Sequence, residues 1–584
     1  MLRRESAARL NDRLENVELE MSNLATSETA VAEMSAGVNV ARRLTAMAER
    51  IPDALAVVVP RGRRAGRQTY ATFTFRQLEE DSNRLASGMR AMGIRPGARI
   101  ALLVRPGMEF IAFVFAFLKA GVVVILIDPG MGRKNLIQCL TDVEPEGFVA
   151  IPMVHAIRTI LRRKFAKARF NVTVGRRLFW DGLTLDELRG LGRSEPVCHD
   201  TKADDPAAII FTTGSTGPPK GVLYRHGNFD RQVTELGEFY GIQPGEIDLP
   251  GFPLFGLFNC ALGVTTVVPD MDPSRPARVD PRKIVEAISD WNVTQAFGSP
   301  AIWNRVGQYC AKQNIRLPTL RRVLSAGAPV PPHVLARMKG CIADDGDVHT
   351  PYGATEALPV ASIAASEVLT ETQHRWAQGG GTCIGRKFPG IEWKVIRITD
   401  GPIAKLADAI ELPDGEIGEL IVTGPVVTRE YVTRTEANAL GKIQDVSHIW
   451  HRMGDVGYFD THGRFWFCGR LAHRVQTAKG VMFTIPCEAI FNQHPAIYRS
   501  ALVGVGQPGQ QRPVLIAEPW PDKMPRGRAA RMKLLGELEQ LAIANSLTAT
   551  IKDFLLHRSM PVDIRHNAKI FREKLAAWAE TKLR

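Results

Sequence analysis

The chain has 584 residues, more than one hydrophobic core usually serves, so we expect two or more domains. Hydrophobic residues make up 45% of the chain and charged residues 23%, a balance that excludes an intrinsically disordered protein. The formal net charge is +13, but no recognised nucleic-acid-binding motif accompanies it, so no nucleic-acid partner is predicted.

Residues 1–36 are polar and helix-prone and have no deep apolar face, so we predict an N-terminal extension. They contain no apolar block of the kind that a secretion signal requires. The eight cysteines show no metal-ligand spacing, and without an export signal we expect no disulfide framework. These features favour a reduced, cytoplasmic compartment.

From residue 38 onward, short apolar strands alternate with amphipathic helices. Elements are predicted over residues 74–92 (helix), 99–104 (strand), 110–119 (helix), 122–127 (strand), 207–211, 321–324 and 419–422 (strands). Such alternation is typical of the α/β class with largely parallel sheets flanked by helices. Near residue 469 the pattern changes. We therefore predict a large domain over residues 37–468 and a small, mobile α+β lid domain over residues 469–584.

Two segments bear on contact with membranes. The apolar run over residues 110–127 is divided by Lys119 and Gly121, so each part is too short to cross a bilayer and no transmembrane segment is predicted. Residues 157–169 place basic side chains beside apolar residues at helical spacing, which predicts an amphipathic surface helix with a solvated basic face. The alternative is a contact surface for acidic partners, such as anionic lipid or acyl carriers.

A loop rich in hydroxyl groups and glycines follows the strand predicted over residues 207–211. Its sequence is Thr212-Thr213-Gly214-Ser215-Thr216-Gly217-Pro218-Pro219-Lys220-Gly221. Glycines let backbone N–H groups wrap phosphate oxygens, hydroxyls add donors, and the lysine supplies positive charge. The spacing differs from that of the Walker loop, so we predict a phosphate-binding loop of another kind.

This loop resembles the phosphate-binding signature of the adenylate-forming superfamily, which contains acyl-CoA synthetases, luciferases and peptide-synthetase adenylation domains. Further motifs that resemble the superfamily follow in the expected order, at residues 325–329, 352–356, 450–455, 469–470 and 569–572. The resemblance covers residues 38–575. It implies an enzyme that uses ATP and Mg²⁺ to convert a carboxylic acid into an acyl-adenylate.

The resemblance also implies roles for individual residues. The residues expected to act in catalysis are Lys220, His226, Thr355, Glu356 and Lys569, with Glu356 as the ligand of Mg²⁺. The residues expected to bind the nucleotide are Thr212, Thr213, Gly214, Ser215, Thr216, Gly217, Gly327, Ala328, Pro329, Tyr352, Gly353, Ala354, Asp455 and Arg470. These roles make chemical sense, because positive charge stabilises a pentacoordinate phosphate and a carboxylate can accept two hydrogen bonds from a ribose diol.

Residues 127–133, 350–356 and 468–474 most resemble the branch of this superfamily that closes β-lactones in bacterial long-chain olefin biosynthesis. That branch implies a long-chain 2-alkyl-3-hydroxy acid as substrate. The 3-hydroxyl of the same molecule then attacks the activated carbonyl, so the second step is intramolecular. The resemblance also implies association with other enzymes of the olefin pathway.

Several departures from the common superfamily pattern lie near the expected approach of a thiol acceptor. Gly256 stands where many relatives have histidine, and Glu430 precedes Tyr431 in place of glycine. The segment between Arg470 and Gly480 is one residue longer than expected. The alternatives are a long-chain fatty acyl-CoA synthetase or fatty acyl-AMP ligase, which shares the adenylation residues, and an inactive scaffold that binds partners through its basic segment.

An apolar cluster near these motifs is predicted to line the acyl pocket. It consists of Phe252, Phe255, Phe258, Phe297, Gly298 and Trp303. Ordinary core packing is the alternative for each of these aromatic residues. The base for the 3-hydroxyl stays open among His226, His451 and His566, because a lone histidine is usually not catalytic.

Overall fold

The computed structural model of the chain describes residues 37–212, 217–252, 254–563 and 570–583. The extension predicted over residues 1–36 therefore lies outside the described residues. Two seven-stranded sheets organise the chain up to residue 349, and each has parallel pairs throughout except for one antiparallel pair at an edge. This architecture confirms the predicted α/β class with largely parallel sheets.

The two sheets are built from the following strands, given in spatial order. The first sheet runs Asp347–His349, Arg322–Ser325, Gln295–Gly298, Ile247–Pro250, Thr265–Val267, Leu55–Arg64 and Arg67–Thr74. The second runs Leu183–Thr184, Phe170–Thr173, Gly147–Ala150, Arg99–Leu103, Val123–Leu126, Pro206–Phe211 and Gly221–Arg225. Phosphate-binding loops and ligand sites are expected at the carboxyl ends of such parallel strands.

The predicted helices form where their local sequence favours them. Phe75–Ala91 begins at Thr74, whose side chain accepts a 3.2 Å hydrogen bond from the Gln77 backbone N–H while the Gln77 side chain accepts one from Thr74. Met108–Ala120 is apolar on nearly every side and is buried between the sheets. It ends at Gly121, which adopts the left-handed conformation with φ of 69°.

The remaining helices pack around the sheets and the later domains. They are Arg42–Arg50, Arg133–Val143, Pro152–Ile160, Leu185–Leu191, His226–Tyr240, Phe255–Leu262, Pro281–Trp291, Pro300–Gln313, Pro332–Lys339, Ala365–Glu367, Gln373–Ala377, Ala437–Gly441, Thr484–Phe491, Gly527–Ile543 and Arg572–Leu583. Within the described ranges, no helix is both long and apolar enough to span a bilayer.

The basic segment differs from the prediction of one amphipathic helix over residues 157–169. The helix Pro152–Ile160 ends within it, and a short 3-10 turn, Arg162–Phe165, follows. The distribution of side chains is also different, because Arg158 is buried and pairs with Asp181 at 2.8 Å, whereas Ile157 faces solvent. The basic segment is therefore divided between the end of a helix and a 3-10 turn, and its charged side chains do not form one solvated face.

Two antiparallel sheets complete the larger part of the chain. The smaller one contains Tyr352–Ala354, Ala357–Ser362 and Arg386–Lys387. The six-stranded one contains Thr382–Cys383, Phe465–Arg470, Ile449–Phe459, Gly418–Thr423, Glu392–Ile396 and Lys442–Gln444. Because Asp455 pairs directly with Arg470 across two neighbouring strands, this sheet brings two of the predicted nucleotide-binding residues together.

The last part of the chain has its own sheets and core. A hairpin joins Val475–Thr477 to Gly480–Met482, and a second sheet contains Ile497–Val505, Arg512–Pro519 and Asp553–Leu556. The prediction divides the chain at residue 468, whereas the strand Phe465–Arg470 still belongs to the six-stranded sheet. The sheets therefore change after Arg470, at the turn Leu471–His473.

Candidate active site

The described ends of the phosphate loop are tied together at its base. The Thr212 backbone N–H donates to the Lys220 carbonyl at 3.0 Å, and the Lys220 N–H donates to the Thr212 hydroxyl at 3.0 Å. Gly221 donates to the Thr433 hydroxyl at 2.7 Å. The intervening Thr213, Gly214, Ser215 and Thr216 lie outside the described residues. These bonds fix where the loop leaves and re-enters the sheet, and they place Lys220 at its end.

Lys220, Tyr431 and Glu356 form a connected group. The Lys220 ammonium donates to the Tyr431 hydroxyl at 3.1 Å, and that hydroxyl donates to Glu356 Oε1 at 2.7 Å. The Lys220 Nζ lies 3.9 Å from the same carboxylate oxygen and 4.2 Å from the centre of the tyrosine ring. One hydroxyl group therefore connects the predicted phosphate-binding cation to the predicted metal ligand.

Glu356 is buried but stays ionised. Burial alone raises the pKa of a carboxyl group, but the surrounding basic side chains and the hydrogen bond from Tyr431 outweigh it and hold the pKa of Glu356 below its ordinary value. The backbone around it is anchored as well, because the Glu356 carbonyl accepts hydrogen bonds from both the N–H and the hydroxyl of Thr428 at 2.9 Å. The result is a fixed negative charge, which suits a divalent cation.

A second polar group surrounds Asp455. Its carboxylate accepts a hydrogen bond from the Tyr352 hydroxyl and lies 3.0 Å from Arg470 Nη1. Arg470 also donates to the Met453 carbonyl at 3.2 Å. Burial and the adjacent Asp455 charge raise the pKa of Tyr352, which keeps its hydroxyl a donor. The motifs at residues 352–356, 450–455 and 469–470 thus meet in space.

Thr355 and Glu356 form the turn between the strands Tyr352–Ala354 and Ala357–Ser362. The Thr355 carbonyl accepts a 2.6 Å hydrogen bond from the Tyr224 hydroxyl, so this turn is fixed to the second seven-stranded sheet. On the other side, Gly327 follows the strand Arg322–Ser325 with φ of 96°, a conformation that favours glycine. Ala328 and Pro329 come next, the first half-buried and the second exposed.

Lys220, Glu356, Tyr431 and Arg470 line one cavity of about 1830 Å³, and the buried Asp455 lies beside it, next to Arg470. Its polar wall includes Thr212, Gly217, Lys220, Gly327, Gly353, Ala354, Thr355, Glu356, Tyr431 and Arg470. Its apolar wall includes Leu102, Phe110, Val114, Leu118, Leu126, Leu136, Phe252, Phe255, Phe258 and Phe297. The volume exceeds the 300–1,000 Å³ of an ordinary small-molecule pocket. It has room for a nucleotide together with a large apolar substituent.

Four of the residues predicted to line an acyl pocket lie in the apolar wall of this cavity. Phe255 stacks on Phe297 with ring centres 3.7 Å apart, and Phe252 and Phe258 lie beside them. Trp303 is a correction, because its ring is only 1% exposed and its Nε1–H donates to the Leu324 carbonyl at 3.1 Å, away from the cavity.

Gly298 is likewise a correction. A Cβ atom at this position would lie 3.0 Å from the Trp303 ring, so Gly298 makes room for that buried indole and does not line the cavity. The strand geometry explains the error, since successive side chains point to opposite faces and Phe297 already faces the cavity.

The three candidate histidines differ in position. His226 is fully buried at the start of the helix His226–Tyr240, has no hydrogen-bonding partner on its ring among the described residues, and does not line the cavity. Burial lowers the pKa of His226 to about 4. This placement gives no support to a catalytic role. His451 does line the cavity, whereas His566 and Lys569 lie outside the described residues.

Sequence reasoning missed a buried lysine behind the Glu356 group. Lys442 is 5% exposed, its Nζ lies 5.7 Å from the centre of the Tyr431 ring, and it donates to the Thr428 carbonyl. Burial lowers the pKa of Lys442 to about 7. Burial also lowers the pKa of the nearby His451 to about 3. In the sequence, the only indication of this burial is that Lys442 directly precedes the apolar residue Ile443, a few positions before the motif at residues 450–455.

Two of the departures from the superfamily pattern have structural explanations. Glu430 pairs with Arg225 at 2.7 Å, so it adds an ion pair between two segments that flank the phosphate loop. A Cβ atom at Gly256 would lie 3.3 Å from Thr266 Cγ2 and 3.5 Å from Ile111 Cδ1. The helix that contains Gly256 is therefore packed closely against its neighbours at this position.

The chain is similar to known proteins over most of its length. A family model described as AMP-binding enzyme matches residues 44–432. A protein of Stenotrophomonas maltophilia named olefin beta-lactone synthetase is 45% identical over 94% of this chain and 99% of its own. A protein of the same name from Xanthomonas campestris pv. campestris is 44% identical over 93% of this chain and 97% of its own.

More distant proteins share the fold or part of the sequence. A long-chain-fatty-acid–CoA ligase of Thermus thermophilus is 24% identical over 77% of this chain and 81% of its own. The crystal structure of an anthranilate CoA ligase in complex with anthranoyl-AMP superposes with a TM-score of 0.76 at 18% identity, covering 93% of this chain and 98% of its own. That likeness shows the two-domain fold of adenylate-forming enzymes.

Proposed function

The chain belongs to the AMP-binding enzyme family, and on this premise we propose that it activates a long-chain 2-alkyl-3-hydroxy acid and closes it to a β-lactone. In the first step the substrate carboxylate attacks the α-phosphorus of ATP, and pyrophosphate leaves. In the second, the 3-hydroxyl oxygen attacks the acyl-adenylate carbonyl, loses its proton, and AMP leaves. Holding nucleophile and electrophile in one molecule makes the second step intramolecular.

The observation that carries this proposal is the continuity of one cavity between a charged end and a long apolar wall. Lys220 and Glu356 lie at the charged end, and the apolar wall extends past Phe255 to the buried helix Met108–Ala120. A carboxylate bound beside the phosphates would therefore leave its alkyl chains in apolar surroundings, where burial favours them. Alkyl chains that fill the apolar part of the cavity would also displace water that could hydrolyse the adenylate.

In the proposed nucleotide site, the group around Lys220 would contact the phosphates and the group around Asp455 would contact the ribose and the base. Lys220, together with Lys569 from the C-terminal part, would offset the charge that develops on the reacting phosphate. Asp455 would accept hydrogen bonds from the ribose hydroxyls, with Arg470 beside it and the Tyr352 ring against the base. Thr212, Gly217 and the backbone of the loop would surround the phosphates.

The residues fit a magnesium ion. Glu356 offers a buried, ionised carboxylate at the wall of the cavity, and oxygen ligands of this kind are those that Mg²⁺ prefers. When bound, the ion would neutralise charge on the phosphates. Tyr431 holds Oε1 of the carboxylate through its 2.7 Å hydrogen bond, so it orients the proposed ligand.

The choice of a β-lactone over a thioester is supported by the sequence relatives. The two proteins at 44% and 45% identity are named olefin beta-lactone synthetases, whereas the acyl-CoA ligases with which the chain was compared are 24–26% identical. By the same analogy, the chain would work with other enzymes that supply its substrate and consume its lactone.

Two substrate analogues test the proposal. A 2-alkyl-3-hydroxy acid and the matching 2-alkyl acid without the hydroxyl should both support ATP–pyrophosphate exchange, because the first step needs only the carboxylate. Sustained release of AMP should require the 3-hydroxyl. Equal turnover of the two acids in the absence of CoA would contradict intramolecular capture.

A further inference from the structure

A group of apolar side chains is exposed on the surface beside the cavity. Three lie on the helix Pro152–Ile160, and two lie on the loop that packs against it. These five residues, which we call the mouth patch, are Met153, Ile157, Ile160, Leu178 and Phe179, exposed by 64%, 39%, 78%, 56% and 72% respectively. Large apolar side chains exposed together on one segment of the surface often mark an interaction site.

The helix Pro152–Ile160 and the neighbouring loop are joined by several side-chain contacts. The rings of His155 and Trp180 stack with their centres 6.0 Å apart, and Arg158 pairs with Asp181 at 2.8 Å. The Trp180 Nε1–H donates to the Thr173 hydroxyl at 2.9 Å. The polar and aromatic face of the helix is thus used to bind the loop, and the apolar face is left to the solvent.

The patch is continuous with the wall of the cavity. Met153 and Ile157 belong both to the exposed patch and to the cavity lining, and Val154 lies between them in the lining. An alkyl chain could therefore pass from this surface to the apolar wall while staying in contact with apolar side chains.

Exposed cations border the patch. The ion pairs formed by basic residues of this region are Arg158–Asp181, Lys167–Glu144 and Arg177–Glu187. In the described part of the chain, no ion pair involves the exposed residues Arg162, Arg163, Lys164 and Arg176. Their positive charge beside an apolar surface is complementary to an anionic phospholipid surface, which offers phosphate groups above an apolar interior.

We propose that the mouth patch docks on anionic phospholipid bilayers and so places the mouth of the cavity at the lipid surface. The apolar side chains enter the boundary between headgroups and acyl chains, and the four cations contact lipid phosphates. Each such cation near an anionic surface strengthens binding about fivefold. Entry of the acid from the bilayer into the cavity rests on the proposed function, whereas docking itself does not.

Flotation with lipid vesicles tests the docking. The full chain should float with vesicles that contain phosphatidylglycerol and much less with vesicles of pure phosphatidylcholine. Binding should weaken in about 0.5 M salt, because salt screens the attraction between the exposed cations and the lipid phosphates. The variant Ile160→Glu/Phe179→Glu should bind at least about tenfold more weakly, because two carboxylates replace apolar contacts. The matched control is Ile543→Glu/Met532→Glu, whose residues are comparably exposed on the helix Gly527–Ile543.

Two results would overturn the proposal. One is failure of the unaltered chain to bind anionic vesicles, as expected if the patch instead covers a protein partner. The other is an equal loss of binding in the patch variant and its control. ATP–pyrophosphate exchange with a long-chain 2-alkyl-3-hydroxy acid, dispersed in detergent micelles without vesicles, is measured on the same preparations. Its absence in a chain that floats would contradict the proposed function and leave the docking intact.

Discussion

The two ends of the cavity are built in different ways. At the charged end, individual hydrogen bonds fix the positions of the functional groups. The Tyr431 hydroxyl, for example, bonds to Lys220 at 3.1 Å and to Glu356 at 2.7 Å. Along the apolar wall, many side chains from several elements each contribute a few contacts. The charged end therefore fixes where the reacting groups would lie. The apolar wall determines only how large and how apolar a bound acyl group can be.

This contrast has a consequence for substitutions. Removing one atom at the charged end leaves a buried partner without its hydrogen bond, which is costly in a region of low dielectric. Removing a methyl group from the wall costs only the apolar contact that is lost. Changes at the charged end should thus affect the rate of adenylation, and changes in the wall should affect the affinity for the acid.

The largest effect is expected for Glu356→Gln. The substitution keeps the size of the side chain but removes the negative charge proposed to hold Mg²⁺, so ATP–pyrophosphate exchange should fall by about 10²–10³-fold. The matched control is Glu430→Gln, whose carboxylate pairs with Arg225 and does not line the cavity. Equal activity in the two variants would contradict the role given to Glu356.

A smaller effect is expected for Tyr431→Phe. The ring keeps its packing, but the hydroxyl that connects Lys220 to Glu356 is lost, and a hydrogen bond to a charged group of this kind corresponds to about a tenfold change in rate or more. Exchange kinetics and thermal unfolding should be measured together. An unchanged exchange rate would show that the hydroxyl does not position the carboxylate.

Lys442→Met should change how stability depends on pH. Because burial lowers the pKa of Lys442 to about 7, the unfolded chain holds more protons at this lysine than the folded chain between that value and the ordinary pKa. This lysine therefore makes the free energy of unfolding rise with pH across that interval, by at most about 1.4 kcal/mol per pH unit. In the variant that rise should be absent.

Urea unfolding at several pH values above 7 measures this difference. Lys533→Met serves as the control, because Lys533 is 79% exposed in its side chain. The two variants should diverge most near neutral pH and converge as the pH rises. Parallel pH profiles in both variants would show that Lys442 is not buried in solution.

The smallest effect is expected for Leu136→Ala. Leu136 is half-buried and lines the apolar wall, so its truncation removes contacts worth about one methylene group, or roughly a fourfold change in affinity. The KM for the acid should rise while kcat stays the same. A fall in kcat comparable to that of Tyr431→Phe would remove the distinction between the two ends of the cavity.

The charged end was largely predictable from the sequence, and the wall was not. The motifs that contain Lys220, Glu356, Asp455 and Arg470 occur in a fixed order, and the structure brings those four side chains to one cavity and its border. Such motifs are visible because each depends on particular residue types at a particular spacing. Apolar residues carry no such information, because the same types fill both a core and a pocket.

Phe297 and Trp303 illustrate the limit. Both are aromatic and lie only six positions apart in the sequence, yet Phe297 faces the cavity and Trp303 faces the core. The alternation of side chains along a strand would have excluded Gly298 from the side occupied by Phe297. The orientation of Trp303, by contrast, depends on how its helix packs against the first sheet. Lys442 was missed for the same reason, since only the tertiary structure places it behind Tyr431.

The most direct test concerns the proposed capture of the acyl-adenylate by the hydroxyl of the same molecule. The most direct measurement mixes the purified chain with ATP, Mg²⁺ and a synthetic 2-alkyl-3-hydroxy fatty acid, with and without CoA, and identifies the products by mass spectrometry. We expect a β-lactone and AMP in equal amounts without CoA, and no change when CoA is added. An acyl-CoA formed only when CoA is present would contradict it and make the chain an acyl-CoA synthetase.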